Sequence, residues 1–156
     1  MNIIPMNKLY PLEETIHPQK GLEKLKGKSI LLIDNDSISN FVNQKLIENL
    51  SGATHIHSFT DPKKALKKLE AWSYAQSGPP PSVIFLDLHM PEMSGWEFLK
   101  EFRKLREEII SGCSVVILTT SSHIYDLEKS MKFERVSDYI IKPLTAEKLG
   151  KVVLNN

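Results

Sequence analysis

Val83-Ile84-Phe85-Leu86-Asp87-Leu88-His89-Met90-Pro91-Glu92-Met93-Ser94-Gly95 runs four apolar residues into a carboxylate and then into a loop punctuated by proline and glycine. An apolar run without alternation fits a strand buried on both faces, as in a parallel sheet. Asp87 then stands at the strand's carboxyl end, where open α/β sheets gather their chemistry. Burying a carboxylate is costly, so an Asp at the mouth of such a strand points to function.

The pattern repeats on both sides of this stretch. Residues 29–33 form an apolar run ending at Asp34, and residues 54–59 read as a short strand. Residues 114–118 end at Thr119, and residues 137–141 end at Lys142-Pro143. Helical spacing fills the intervals. Residues 37–50 carry Ile38, Phe41, Val42, Leu46, Ile47 and Leu50 on one period, with Ser37 as the expected N-cap and Gly52 as the stop. Thr60 or Asp61 caps a helix opened by Pro62 and reaching about Tyr74. Further helices are predicted over 96–108 and 124–133, and a last one is capped by Thr145; the prolines of 77–82 predict an extended polyproline loop. Five βα repeats imply a parallel sheet with helices on both faces.

Composition narrows the class. A chain of 156 residues with 41% apolar and 25% charged residues is an ordinary globular protein with one expected domain. Twenty basic against 19 acidic residues leave a net charge of +1, which gives no electrostatic case for nucleic acid or an anionic membrane. The lone Cys113 excludes an intramolecular disulfide, suits a reducing compartment, and beside Val115-Val116-Ile117-Leu118 reads as an inert core thiol. No apolar run approaches the roughly 18 residues of a membrane span. Pro5 and Asn7 interrupt any signal-peptide core at the N-terminus, so a cytoplasmic location is expected. Residues 1–27, with three prolines and no periodicity, read as an N-terminal extension draped on a domain of residues 28–156.

The strand ends collect a consistent chemistry. The first delivers Asp34-Asn35-Asp36, the third Asp87, the fourth Thr119-Thr120 and the fifth Lys142. Carboxylates brought together repel unless a cation holds them. Hard oxygen ligands without a His/Cys cluster suit Mg²⁺. A carboxylate beside Mg²⁺, Lys and Thr is chemically fit to accept a phosphoryl group.

Over residues 28 to about 154 the chain resembles the receiver domain of two-component response regulators. The resemblance rests on Asp34-Asn35-Asp36, on the D-L-x-M-P-x-M-x-G pattern from Asp87 to Gly95, on Thr119, and on Tyr139-Ile-Ile-Lys142-Pro143. It implies a flavodoxin-like (βα)5 sandwich with a five-stranded parallel sheet in the order 2-1-3-4-5. It also implies that Asp87 accepts a phosphoryl group from a histidine kinase or a histidine phosphotransfer protein. Asp34, Asp87 and the backbone carbonyl of His89 would hold Mg²⁺, Thr119 and Lys142 would engage the phosphoryl group, and Tyr139 would turn inward with Thr119 as the switch. By position, His89 and Ser121 flank the attacking water that ends the signal. A cis Lys142–Pro143 bond belongs to the same pattern. The departure is Asn35, where the family usually carries a second carboxylate. Asn35 keeps an amide oxygen for Mg²⁺ but lacks the charge, which implies weaker metal binding. Asp36 stands as a partial substitute or as a helix cap.

The remaining features have plainer readings. Ser121, Ser122, His123 and Asp126 hold the letters of a hydrolytic triad, yet they fall in one strand-to-helix turn and read as a helix cap. His55 and His57 lack a third ligand for zinc. Lys63, Lys64, Lys67 and Lys68 form a solvated face, and Trp72 and Trp96 pack. Ile38 and Phe41 exceed what one buried face needs; they either dock a kinase or phosphotransfer helix or pack against the extension.

The expected function is a phosphorylation-dependent switch rather than a turnover enzyme. Its output is expected to be a downstream protein or a second copy of the chain, docking on the face of Tyr139 and the last two helices. With one helix after Lys142-Pro143 and the end at Asn156, a stand-alone receiver is expected. The alternative is a haloacid-dehalogenase-type phosphatase with Asp34 as nucleophile, since Asp34-Asn-Asp36-Ser-Ile38 approximates D-x-D-x-[TV]. Ile38 misfits that pattern, no late acidic pair follows, and the Asp87–Gly95 segment is left idle. Nucleotide binding on such a sheet lacks a Gly-rich loop after the first strand.

Overall fold

Three apolar runs and two more polar segments form five parallel strands, and their register decides where the chemistry falls. The computed structural model describes residues 21–72, 74 and 80–155. The strands are β1 (Ser29–Ile33), β2 (His55–Phe59), β3 (Val83–Leu86), β4 (Ser114–Thr119) and β5 (Val136–Ile141). The helices are α1 (Ser37–Ser51), α2 (Pro62–Trp72), α3 (Gly95–Phe102), α4 (Glu107–Ile110), α5 (Ile124–Ser130) and α6 (Ala146–Asn155). The sheet order is β2-β1-β3-β4-β5, all parallel, as expected for the flavodoxin-like receiver fold. Residues 1–20 of the expected extension and residues 77–79 of the expected 77–82 loop lie outside the described residues.

Every residue of β1 and β3 is buried, as their unbroken apolar runs require. Alternate side chains feed two cores. Leu31, Ile33, Ile84 and Leu86 pack with Leu69, Phe98 and Phe102 from α2 and α3. Ile30, Leu32 and Phe85 pack on the opposite face with Ile47, Leu149 and Val152 from α1 and α6. The edge strand β2 is polar, with His55, His57 and Ser58 exposed, which blunts it against pairing with another chain.

Four boundaries differ from the sequence expectation, each for a physical reason. Asp36, not Ser37, caps α1: its carboxylate accepts the Ile38 N–H at 2.9 Å, and Gly52 closes the helix at φ 66°. The helix expected over 96–108 stops at Phe102 and resumes at Glu107–Ile110. An eight-residue helix rises about 12 Å, close to the length of β3, so the chain must turn back there to bring Ser114 beside Val83. Helix α5 ends at Ser130, and Phe133 instead stacks on Trp96 with ring centroids 5.9 Å apart. Before Lys28, a 3₁₀ turn at Leu22–Leu25 places Leu22 and Leu25 in the core, so packed structure reaches back into the expected extension.

Candidate functional site

The register that pairs Ile33 with Leu86, and Thr119 with Ile141, brings the next residue of each strand to one end of the sheet. Asp34 follows β1, Asp87 follows β3, and Lys142 follows β5. Backbone bonds fix the frame: Asp34 N–H donates to Phe59 O at 3.1 Å, Asp87 N–H to Ile33 O at 2.9 Å, and Lys142 N–H to Thr119 O at 2.8 Å. The reversal of strand order between β1 and β3 lies at this end, the usual place for a site in an open α/β sheet.

Lys142 Nζ lies 2.6 Å from Asp34 Oδ2 and 3.4 Å from Asp87 Oδ2, so one ammonium holds both carboxylates. Asp34 and Asp87 are buried, 5% and 6% exposed, a placement that would be costly without the shared cation. Burial by itself lowers the Lys142 pKa. The hydrogen bond to Asp34 and the charges of Asp87 and Asp34 outweigh it and hold the ammonium above the ordinary lysine range. The two carboxylates differ in freedom. Asp34 accepts the Asp36 N–H at 2.9 Å on Oδ1 and Lys142 on Oδ2, whereas among the described residues Asp87 has only the longer contacts to His89 N–H and Lys142, both 3.4 Å.

The loop after β3 depends on Gly95. A Cβ there would meet Asp87 O at 2.5 Å and Leu88 Cα at 2.9 Å, so only glycine lets α3 begin against the Asp87 backbone. Ser94 accepts the Glu97 N–H at 3.2 Å while Glu97 accepts the Ser94 N–H at 2.8 Å, a capping box that fixes the loop's far end. Asn40 was not foreseen as part of the frame. Its buried amide donates to Asp34 O at 2.9 Å and Phe59 O at 3.2 Å, tying the ends of β1 and β2. No sequence signal marked it, because the apolar period of α1 runs through Ile38, Phe41 and Val42, which the structure leaves exposed.

The other expected residues fall as follows. Thr119 is fully buried at the end of β4, while Thr120 is exposed. Tyr139 is half-buried and its hydroxyl donates to Ser121 O at 3.0 Å; burial first, then the Asp126 charge, raises its pKa against the lowering effect of that bond. The Lys142–Pro143 bond is cis. His89 and Asn35 are exposed, and Asp36 spends its carboxylate on the α1 cap. Ser121 and Asp126, read from sequence as cap residues, make a direct hydrogen bond; the cap position itself is His123, whose side chain makes no cap bond and whose N–H donates to Ser121 Oγ at 3.4 Å.

As a donor set, two carboxylates and a backbone carbonyl suit a hard cation that keeps several waters, which is the preference of Mg²⁺. Among the described residues no group of three or more His, Cys, Asp or Glu side chains converges as a metal cage. A separate groove lies against Lys24, Leu25, Ser82 and Cys113 at the opposite end of the sheet, without converging carboxylates. Burial pushes the Cys113 thiol up to about 12, as expected for an inert core cysteine. No helix among the described residues is long and apolar enough to cross a membrane.

Comparison with known proteins gives a consistent neighbourhood. The family model for the response regulator receiver domain matches residues 30–154. A probable methanogenesis regulatory protein of Methanothrix harundinacea is 31% identical over 124 residues, 80% of this chain and 77% of that protein. A probable C4-dicarboxylate response regulator of Halalkalibacterium halodurans is 28% identical over 77% of this chain, which spans 47% of that longer protein. The crystal structure of a two-component response regulator from Cytophaga hutchinsonii superposes with a TM-score of 0.75 at 34% identity, covering 84% of this chain and 99% of that one.

Proposed function

The chain belongs to the response regulator receiver family, and from that premise we propose that it is a phosphorylation-dependent signalling switch with Asp87 as the phosphoacceptor. The observation that carries the reading is the single Lys142 ammonium shared by Asp34 and Asp87, 2.6 and 3.4 Å away, at the strand ends. The donor is a histidine kinase or histidine phosphotransfer protein. An Asp87 carboxylate oxygen attacks phosphorus, and the P–N bond breaks. Its electron pair returns to the imidazole nitrogen, which takes up a proton. Water later attacks the aspartyl phosphate, releasing inorganic phosphate and restoring the carboxylate.

Lys142 neutralises a phosphoryl oxygen, and the Thr119 hydroxyl donates to another. Asp34, Asp87 and the His89 carbonyl, with Asn35 at the margin, would hold Mg²⁺, which supplies further charge neutralisation at the transferring group. Tyr139 reads the change at Thr119, and the response passes to a downstream protein or a second copy of the chain in the cytoplasm. On this reading the chain turns over only its own phosphoryl group.

Phosphatase chemistry at Asp34 is disfavoured by its bonding, since both carboxylate oxygens are engaged while Asp87 keeps the looser contacts. Incubation of the chain with acetyl phosphate and Mg²⁺ should add one phosphoryl group to the intact mass, and a chelator should prevent it. Unchanged mass under both conditions would overturn the proposal.

A further inference from the structure

Ser121 uses every polar group it has. Its N–H donates to Thr119 Oγ1 at 3.3 Å, its hydroxyl to Asp126 Oδ2 at 2.5 Å, and its carbonyl accepts the Tyr139 hydroxyl at 3.0 Å. The three partners lie on three elements: Thr119 ends β4, Asp126 sits in the first turn of α5, and Tyr139 lies in β5. Ser121 is buried, and its hydroxyl-to-carboxylate distance is in the charge-assisted range. The same hydroxyl accepts the His123 N–H at 3.4 Å, an ordinary cap contact, but a cap alone does not need the further bond to Asp126. Asp126 reaches past the His123 cap position to a residue outside the helix.

Helix α5 has little else to hold its first turn. Ser130 is its one buried residue, and Ile124 and Tyr125 are exposed. A helix with so few buried apolar groups belongs to the low-stability end of a fold. Beyond its C-terminal end Phe133 stacks on Trp96, and Lys129 Nζ lies 4.4 Å above the Trp96 ring. Near its start, the Ser121–Asp126 bond sets its position.

We propose that Ser121 and Asp126 are positioning residues that carry the state of the Thr119 hydroxyl to α5, an inference that rests on the receiver reading above. When the Thr119 hydroxyl turns to a phosphoryl group on Asp87, the Ser121 amide follows the oxygen it donates to. The Asp126 carboxylate follows the Ser121 hydroxyl, and the helix with it. Tyr139, bonded to the carbonyl of the same residue, stays in register with that movement. The site and α5 are thereby coupled through one residue, and coupling of this kind is reciprocal.

Hydrogen exchange of the full chain, with and without Mg²⁺ and beryllofluoride as the phosphoryl mimic, tests this. In the wild type the mimic should slow exchange of the amides of residues 124–130 by about tenfold, a usual size for coupling between two sites. In Asp126→Ala the mimic should still bind, while the slowing shrinks below about twofold because the coupling is lost. Ser121→Ala, which keeps both backbone groups, should behave alike. Persistence of the full slowing in both variants would overturn the proposal. So would an Asp126→Ala effect equal in the free and bound states, which would make Asp126 a cap only. A wild type that binds the mimic without slowing 124–130 overturns the positioning role alone; a wild type that does not bind it overturns the receiver reading as well.

Discussion

Lys142 is the residue on which the site's electrostatics turn. Its ammonium offsets two buried carboxylates, and their pull holds its pKa above the ordinary value despite burial. Because the folded value exceeds the unfolded one, near 10.4, the interaction stabilises the fold fully below about that pH and is lost as pH rises through the folded value. The stability difference between wild type and Lys142→Gln should therefore be level from pH 6 to about pH 9 and narrow as the solution passes about pH 10.4, followed by urea unfolding. Asn35 is the second residue with a specific consequence. Asp36 beside it turns Oδ1 to the α1 cap, where it accepts the Ile38 N–H at 2.9 Å. An Asn35→Asp variant should bind Mg²⁺ more tightly in a direct titration; equal affinities would contradict the assignment of Asn35 to the metal's surroundings.

At the scale of elements, the capping box of α3 locks the Asp87 loop against Gly95. Ser94→Ala should lower stability by about 1 kcal/mol, the usual cost of losing such a cap, and chemical denaturation measures it directly. Elements were legible wherever a local rule acted. Apolar runs marked β1, β3 and β4, Gly52 marked the end of α1, and Pro62 marked the start of α2. The break after Phe102 was not legible, because Phe98, Leu99, Phe102, Leu105 and Ile109 keep helical spacing through it. The stop there answers to the length of β3, a constraint from the sheet rather than from neighbouring residues. The end of α5 was missed for a similar reason: Phe133 continues the period but is claimed by Trp96.

For the whole molecule, strand ends far apart in sequence become one site because parallel pairing brings them to a common edge. Asp34 and Lys142 are 108 positions apart, yet they form the shortest ion pair among the described residues. Residue types at the strand ends let the convergence of Asp34, Asp87, Thr119 and Lys142 be expected from sequence. The finer wiring was not accessible: Asn40 bridging β1 and β2, or Ser121 joining Thr119, Tyr139 and Asp126, depends on side-chain directions that only the packed fold sets. Two cores on the two faces of the sheet give this end a packed base, which the proposed phosphoryl transfer would use to hold its groups in place. The central claim is that this edge presents Asp87, and not Asp34, to a phosphoryl donor. Tandem mass spectrometry of peptides from the full chain, after incubation with acetyl phosphate and Mg²⁺, locates the modified residue. The account predicts a phosphoryl group on Asp87 that is absent from Asp87→Asn, and a phosphoryl group on Asp34 would contradict it.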